Sequence, residues 1–264
     1  MKISKEEEIW GNSFFVYRKH DVFETPELTQ PIWKYLSFAK FVWLIANKSL
    51  YFSRLDHLED SWEGLLPSKF EKDDKRPSGK YLRFNKYINC WHMNDAESDA
   101  MWKVYGNSSH ETVAIKSDVG SLIHALKAVP NTGEEPKDVF IGKVNYVENN
   151  ITLNNFYHQV LYKRPPFAHE QELRLCVSSD CNHNPPDYSE IMNIFSAYGI
   201  PISNLELLKQ CGNKGISVPV ALDKLIHEIV ICPNSEGYIE DSVNYVLQGK
   251  ISTEKVKKSA MLNS

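Results

Sequence analysis

The apolar residues of this chain come in short runs, and most runs are followed at once by ionisable and aromatic side chains. The pattern is clearest in LYFSRLDHLEDSWEG, NCWHMNDAESDAMWKVYG, VAIKSDVGSLIHAL, GKVNY, YKRPPFAHEQELRL and LDKLIHEIVICPN. Runs of this length suit strands and short buried helices. The Arg, Trp, Tyr and Glu beside them exceed what a plain scaffold needs, and they point to a polar cleft.

A chain of 264 residues, 42% hydrophobic, can bury a real core in one large domain or two small ones. Its net charge of -4 supplies no bulk field toward nucleic acid or anionic lipid. The start, MKISKEEEIWG, lacks the apolar core of a signal peptide. The most apolar run, FAKFVWLIA, is about nine residues with Lys40 inside it, too short to span a bilayer. These features predict a cytoplasmic location. Cys90, Cys176, Cys181, Cys211 and Cys232 are odd in number and widely spaced, which argues against a secreted disulfide framework. Cys176, Cys181 and His183 do not have the two close pairs of a zinc knuckle, so buried thiols are expected and no metal.

Residues 1–30 are polar and read as a lead-in, with 31–264 as a single α+β domain. IWKYL predicts a first strand, FAKFVWLIANK a buried helix ending near Asn47, and SLYFS the strand after it. Residues 71–80 form an exposed loop. YINCW, TVAIK, VFIGKVNYV, ELRLCVS and EIVIC read as strands. DAESDAMWKVY, VGSLIHALKAV and LNNFYHQVLY read as helices, the second capped by Ser117 or Asp118. Pro219 makes GISVPV an edge strand or a strand end, and two weaker helices close the chain. The fold class that follows is α+β, a mixed or antiparallel sheet with flanking helices.

HEQELR is the strongest local feature. As a strand it places Glu170, Glu172 and Arg174 on one face and turns Leu173, Leu175 and Val177 to the core. The polar face is either solvent surface or the rim of a cleft. At a cleft, a glutamate can bind a ribose hydroxyl, stabilise positive charge at a sugar carbon or act as a base. Arg54, at the exit of a buried strand, is either a salt-bridge partner for Asp56, Glu59, Asp60 or Glu63, or a fork for a phosphate or carboxylate. Trp91, Trp102 and Tyr105 are either core aromatics or a wall for a planar ring. His92 is either structural or an acid–base group. Lys163 and Arg164, with His169, form the compact basic segment near the acidic strand and can receive a phosphate. No dinucleotide-binding glycine fingerprint, Walker loop, HExxH or nucleophile elbow occurs.

From IWKYLSFAKFVWLIANKSLYFSRLDHLEDSWEG through CWHMNDAESDAMWKVYG to YKRPPFAHEQELR and LDKLIHEIVICP, the chain resembles bacterial domain-of-unknown-function family 2971. That family often sits in mobile and phage-related gene neighbourhoods. More weakly, the chain resembles the ADP-ribosyltransferase fold, whose split sheet binds NAD. That fold uses an early-strand Arg or His, a middle strand with an aromatic beyond it, and a late-strand Glu. The resemblance implies Arg54 as the first element, Trp91 to Tyr105 as the second, Glu172 as the third and Glu170 as its partner. NCWH departs from it by lacking the serine-rich triplet.

The resemblance implies an NAD-dependent ADP-ribosyltransferase or NAD glycohydrolase of a phage-defence or stress system. Glu172, Glu170 and Arg54 would be catalytic. Trp91, Trp102, Tyr105, Lys163 and Arg174 would hold the nucleotide. The acceptor is left open among protein, nucleic acid and water. A non-catalytic nucleotide- or partner-binding module is the rival, and a metal-dependent nuclease built on Glu170, Glu172 and Asp60 is a third reading.

Overall fold

The computed structural model describes residues 15–58, 60, 63, 83, 86–106, 110–129, 137–148, 157–178 and 214–261. The expected loop at 71–80, the first four residues of LNNFYHQVLY, Glu59, Trp62, Cys181, His183, Cys211 and the segment around NHNPPDY lie outside them.

In chain order the strands are β1 (Phe15–Tyr17), β2 (Pro31–Ser37), β3 (Ser49–Arg54), β4 (Lys86–Met93), β5 (Thr112–Asp118), β6 (Lys137–Lys143), β7 (Asn145–Tyr146), β8 (Tyr162–Lys163), β9 (Glu172–Ser178), β10 (Gly215–Pro219), β11 (Glu228–Ile231) and β12 (Val256–Lys258). The helices are α1 (Phe38–Asn47), α2 (Asp99–Gly106), α3 (Val119–Lys127), α4 (His158–Leu161), α5 (Leu222–Leu225) and α6 (Gly237–Leu247). The α+β class expected from the sequence is what forms: a mixed, mainly antiparallel sheet with helices against it.

Helix α1 follows from Phe41, Leu44 and Ile45, which share one buried face. It ends where Lys48 turns left-handed (φ 48) and sends its N–H to Leu44 O, and β3 begins at the next residue. Asp118 rather than Ser117 caps α3, accepting from Ser121 N–H at 2.6 Å. Among the described residues β10 pairs only with β3, and it ends at Pro219, as an edge strand should. The chain closes differently from expectation. α6 is followed by a short 3-10 turn and then by β12, which joins β11 in parallel, rather than by a second helix. Part of the polar lead-in is β1, which pairs with β6 and puts Phe15 into the core.

The sheet runs β1-β6-β9-β4-β2-β5-β11-β12, and it forks at β4. One edge of β4 pairs with β9 from Lys86 to His92. The other edge pairs with β3 at Tyr87 and Ile88, and with β2 at His92 and Met93. Among the described residues, Asn89, Cys90 and Trp91 therefore have a strand on one side only. The backbone groups exposed by such a fork need partners. Lys34 Nζ donates to Cys90 O at 2.8 Å, and Asn89 Nδ2 donates to Tyr51 O at 2.8 Å. Two side chains thus satisfy carbonyls that a ladder would otherwise have used.

Strand alternation sorts the two faces. Tyr87, Trp91, Leu173, Leu175 and Val177 join Phe41, Leu122 and Val243 in the main core. The opposite face holds two smaller clusters, one around Phe23, Ile88, Phe140 and Cys176, the other around Trp33, Tyr35, Met101 and Trp102. A cluster of charged groups on the same face is centred on Glu172 and Arg174. Gly142 keeps that face thin, because a Cβ there would lie 3.0 Å from Phe23.

Candidate functional site

A cleft of about 500 Å³ opens at the fork. Its aromatic lining is Trp33 and Tyr35 from β2, Trp43 from α1, Tyr51 from β3, Trp91 from β4 and Tyr105 from α2. Lys34 and Lys40 supply cations to it, and His92, Glu170 and Glu172 supply acceptors. Clefts of this size and mixture suit small molecules with one flat and one polar part.

Glu172 opens β9, opposite His92 on β4. Its carboxylate is buried, yet charged. Burial pushes its pKa up, but Arg174 and Lys163 outweigh that and hold it below the usual carboxylate range. Arg174 donates to Glu172 Oε2 from Nε at 3.1 Å and from a terminal nitrogen at 2.7 Å. The same terminal nitrogen pairs with Glu63 Oε2, and Val160 O accepts from the guanidinium at 2.7 Å. Lys163 Nζ reaches Glu170 at 2.7 Å, Glu63 at 3.3 Å and Glu172 at 3.7 Å. The Cys90 thiol also donates to Glu172, and burial followed by that carboxylate drives its own pKa well up. Among the described residues, the ion-pair contacts given for Glu172, from Arg174 and Lys163, fall on Oε2. A carboxylate offers about four lone-pair sites, more than the bonds from Arg174 and Cys90 occupy.

Glu170 does not continue the strand. It ends a 3-10 turn, Pro165–Glu170, and left-handed Gln171 (φ 39) separates it from β9. Its carboxyl is pushed up by burial, against the bond from Lys163. The expectation that Glu170, Glu172 and Arg174 share a strand face thus holds for the last two alone. The same-face reading as solvent surface is overturned, because every residue of β9 is buried.

Arg54 is placed elsewhere. Its guanidinium grips Asp56, at 2.6 and 3.2 Å, so the salt-bridge alternative applies. Arg54 pairs across to Tyr87 and Glu172 to His92, five residues further along β4 on the other face. That separates them by roughly 16 Å along the strand. The early-strand cation that does stand at the cleft is Lys34, which the sequence reading missed. It lies half-buried, 5.5 Å from the centre of the Trp91 ring, and burial lowers its pKa to about 8. Lys163 and Arg174 have their charges engaged by Glu63, Glu170 and Glu172.

Trp91 belongs to both of its alternatives. It is packed in the main core and lines the cleft, with its indole N–H held by Asn89 at 2.9 Å. Trp102 is a core residue, edge-on to Tyr35 at 4.8 Å and bonded to Glu97. Tyr105 lines the cleft and stacks on Tyr35 at 6.4 Å. Tyr146 was also missed. β7 carries it against β8, and its hydroxyl accepts from Glu172 N–H at 2.8 Å. No sequence periodicity reveals Lys34, Glu63 or Tyr146 as members of one site, because three separate elements bring them together.

No protein-family model matches the chain, and no curated protein matches it. Among solved structures it is similar to Thermus sp. 2.9 DarT in complex with ADP-ribosylated ssDNA, at 9% identity and a TM-score of 0.36. That match covers 89% of this chain and 94% of the other. A superposition this loose does not by itself assign an activity. No helix among the described residues is long and apolar enough to cross a membrane.

Proposed function

We propose that the forked cleft takes NAD and that the protein transfers its ADP-ribose to an acceptor or to water. One observation carries this reading: a buried carboxylate kept ionised, Glu172, lines an aromatic cleft where the sheet divides. Cleaving the bond between ribose and nicotinamide develops positive charge on the sugar carbon, and a fixed carboxylate stabilises that charge. Trp91 and Tyr105 offer faces for a planar ring. Among the described residues, Lys34 and Lys40 are the lysines that line this cleft and could meet phosphates. Arg174, Lys163 and Tyr146 hold Glu172 in place, so no reorganisation is required of it during reaction. The phage-defence setting and the identity of the acceptor, whether protein, nucleic acid or water, belong to this proposal and rest on the family resemblance.

A non-catalytic nucleotide-binding module is the second reading. The observation that favours it is the pairing of Glu172 with two cations, which reduces the field it presents to a ligand. A metal-dependent nuclease fits the site less well. Glu170 and Glu172 are held by Lys163 and Arg174, and Asp60 by Arg164, so cations of the protein already stand beside those carboxylates. The deciding experiment is nicotinamide release from NAD by purified protein and by Glu172→Gln. Release that drops at least 100-fold in a folded variant supports the transferase reading. NAD binding without release in either protein would establish the binding module instead.

A further inference from the structure

His92 lines the cleft and is buried, with only 3% of its surface exposed. Its Nδ1 lies 2.6 Å from the backbone carbonyl of Glu170. A carbonyl only accepts, so Nδ1 carries the proton and donates. Burial lowers the pKa of the ring, which keeps the second nitrogen unprotonated at neutral pH. That second nitrogen, Nε2, is therefore an acceptor, and it is buried with no hydrogen-bond partner among the described residues. Buried acceptors of this kind are rare and costly unless something fills them.

The neighbour of His92 gives the orphan nitrogen its meaning. His92 and Glu172 are directly opposed across β4 and β9. Met93 N–H donates to Gln171 O at 2.9 Å, which makes the next pair, His92 with Glu172, the close-set kind. Their Cβ atoms then lie roughly 5 Å apart on one face. Two acceptors side by side at a cleft, one anionic and one neutral, match two adjacent donors. Adjacent hydroxyls of a ribose supply that pattern.

We propose that His92 Nε2 and Glu172 together read the vicinal diol of a ribose, each accepting from one hydroxyl. This deepens the NAD reading of the same site by assigning it a second anchor. It also makes the cleft selective for intact ribose over a deoxyribose.

The test uses two substitutions and a spectroscopic readout. Asparagine superposes its amide nitrogen on Nδ1, so His92→Asn keeps the bond to Glu170 O and removes the Nε2 acceptor. Glutamine can place its carbonyl oxygen where Nε2 stood, so His92→Gln restores an acceptor. Wild-type protein with 15N-labelled histidine is titrated with NAD, adenosine and 2′,3′-dideoxyadenosine. The proposal expects the His92 Nε2 resonance to move with NAD or adenosine and not with the dideoxy compound. It also expects H92N to weaken the responding ribose ligand about 10-fold, with H92Q recovering part of the loss. A shift with adenosine but no binding of NAD would support the diol anchor while refuting the NAD reading. NAD binding with the His92 resonance unmoved and H92N unchanged would overturn the diol anchor and leave the NAD reading standing. No shift with any of the three probes would also overturn it.

Discussion

Arg174→Met is the perturbation whose outcome the structure constrains most tightly. The side chain is 1% exposed, and methionine fills most of its volume without its charge. The substitution strands Glu172 and Glu63 and leaves Val160 O without its donor. Breaking a buried pair from one side costs about 3–5 kcal/mol. The cost per carboxylate has a ceiling, because the group can take a proton instead. At pH 7 that ceiling is about 3.7 kcal/mol, from a carboxylate pKa near 4.3 and about 1.36 kcal/mol per pH unit. Lys163 still lies 3.3 Å from Glu63 and 3.7 Å from Glu172, which shields part of the loss. The net expectation at pH 7 is a loss of about 4 kcal/mol, a large share of the roughly 5–15 kcal/mol that holds a domain together.

The pH dependence separates charge from packing. In the unaltered protein Glu172 sits below the usual range, so its contribution is present above the unfolded pKa and is lost as pH falls through the folded one. Without Arg174, burial is left to raise it, and the sign reverses: the variant loses stability as pH climbs above the unfolded pKa. The difference between the two proteins should therefore shrink by about 2 kcal/mol between pH 7 and pH 5. Urea unfolding followed by tryptophan fluorescence at both pH values measures it. An equal loss at the two pH values would refute the electrostatic account and assign the effect to packing.

Two further outcomes follow from the fork and from the sheet face around it. Lys34, followed by NMR after 13C-methylation of the lysines and assigned by comparison with Lys34→Arg, should titrate near pH 8, and because its folded pKa is lowered, stability should rise with pH between about 8 and 10.5; a midpoint near 10.5 would mean that its amine is not desolvated. Gly142→Ala should cost about 1–3 kcal/mol in thermal or urea unfolding, because its new methyl meets Phe23 at 3.0 Å, and an unchanged midpoint would show that β6 can shift away.

Most strands were legible because their apolar residues are short and sharply bounded. SLYFS, TVAIK and ELRLCVS lie in the strands expected from them, EIVIC does so up to Ile231, and the helix over FAKFVWLIAN follows from Phe41, Leu44 and Ile45 on one stripe. Glu172 was legible for the same reason, as a charged residue alternating with Leu173 and Leu175. Glu170 was misplaced because its register depends on one left-handed residue, Gln171, and nothing in the local pattern announces it. Arg54 was legible as a salt-bridge partner of Asp56, but not which of the acids offered to it would go elsewhere. A sequence shows which acids are near in number, and the ladder decides which are near in space: Glu63 went to Arg174 and Asp56 to Arg54.

The sequence by itself therefore determined the α+β class, most of the strands and the chemical character of a site rich in aromatic and charged groups, because periodicity and residue type are local properties. Only the tertiary structure decided that the sheet forks at β4, that Lys34 rather than Arg54 stands at the opening, and that His92 and Glu172 are cross-strand neighbours. Those facts are set by which strand pairs with which, and in what register. Pairing is decided by burial summed over the whole sheet, which no short stretch of residues contains.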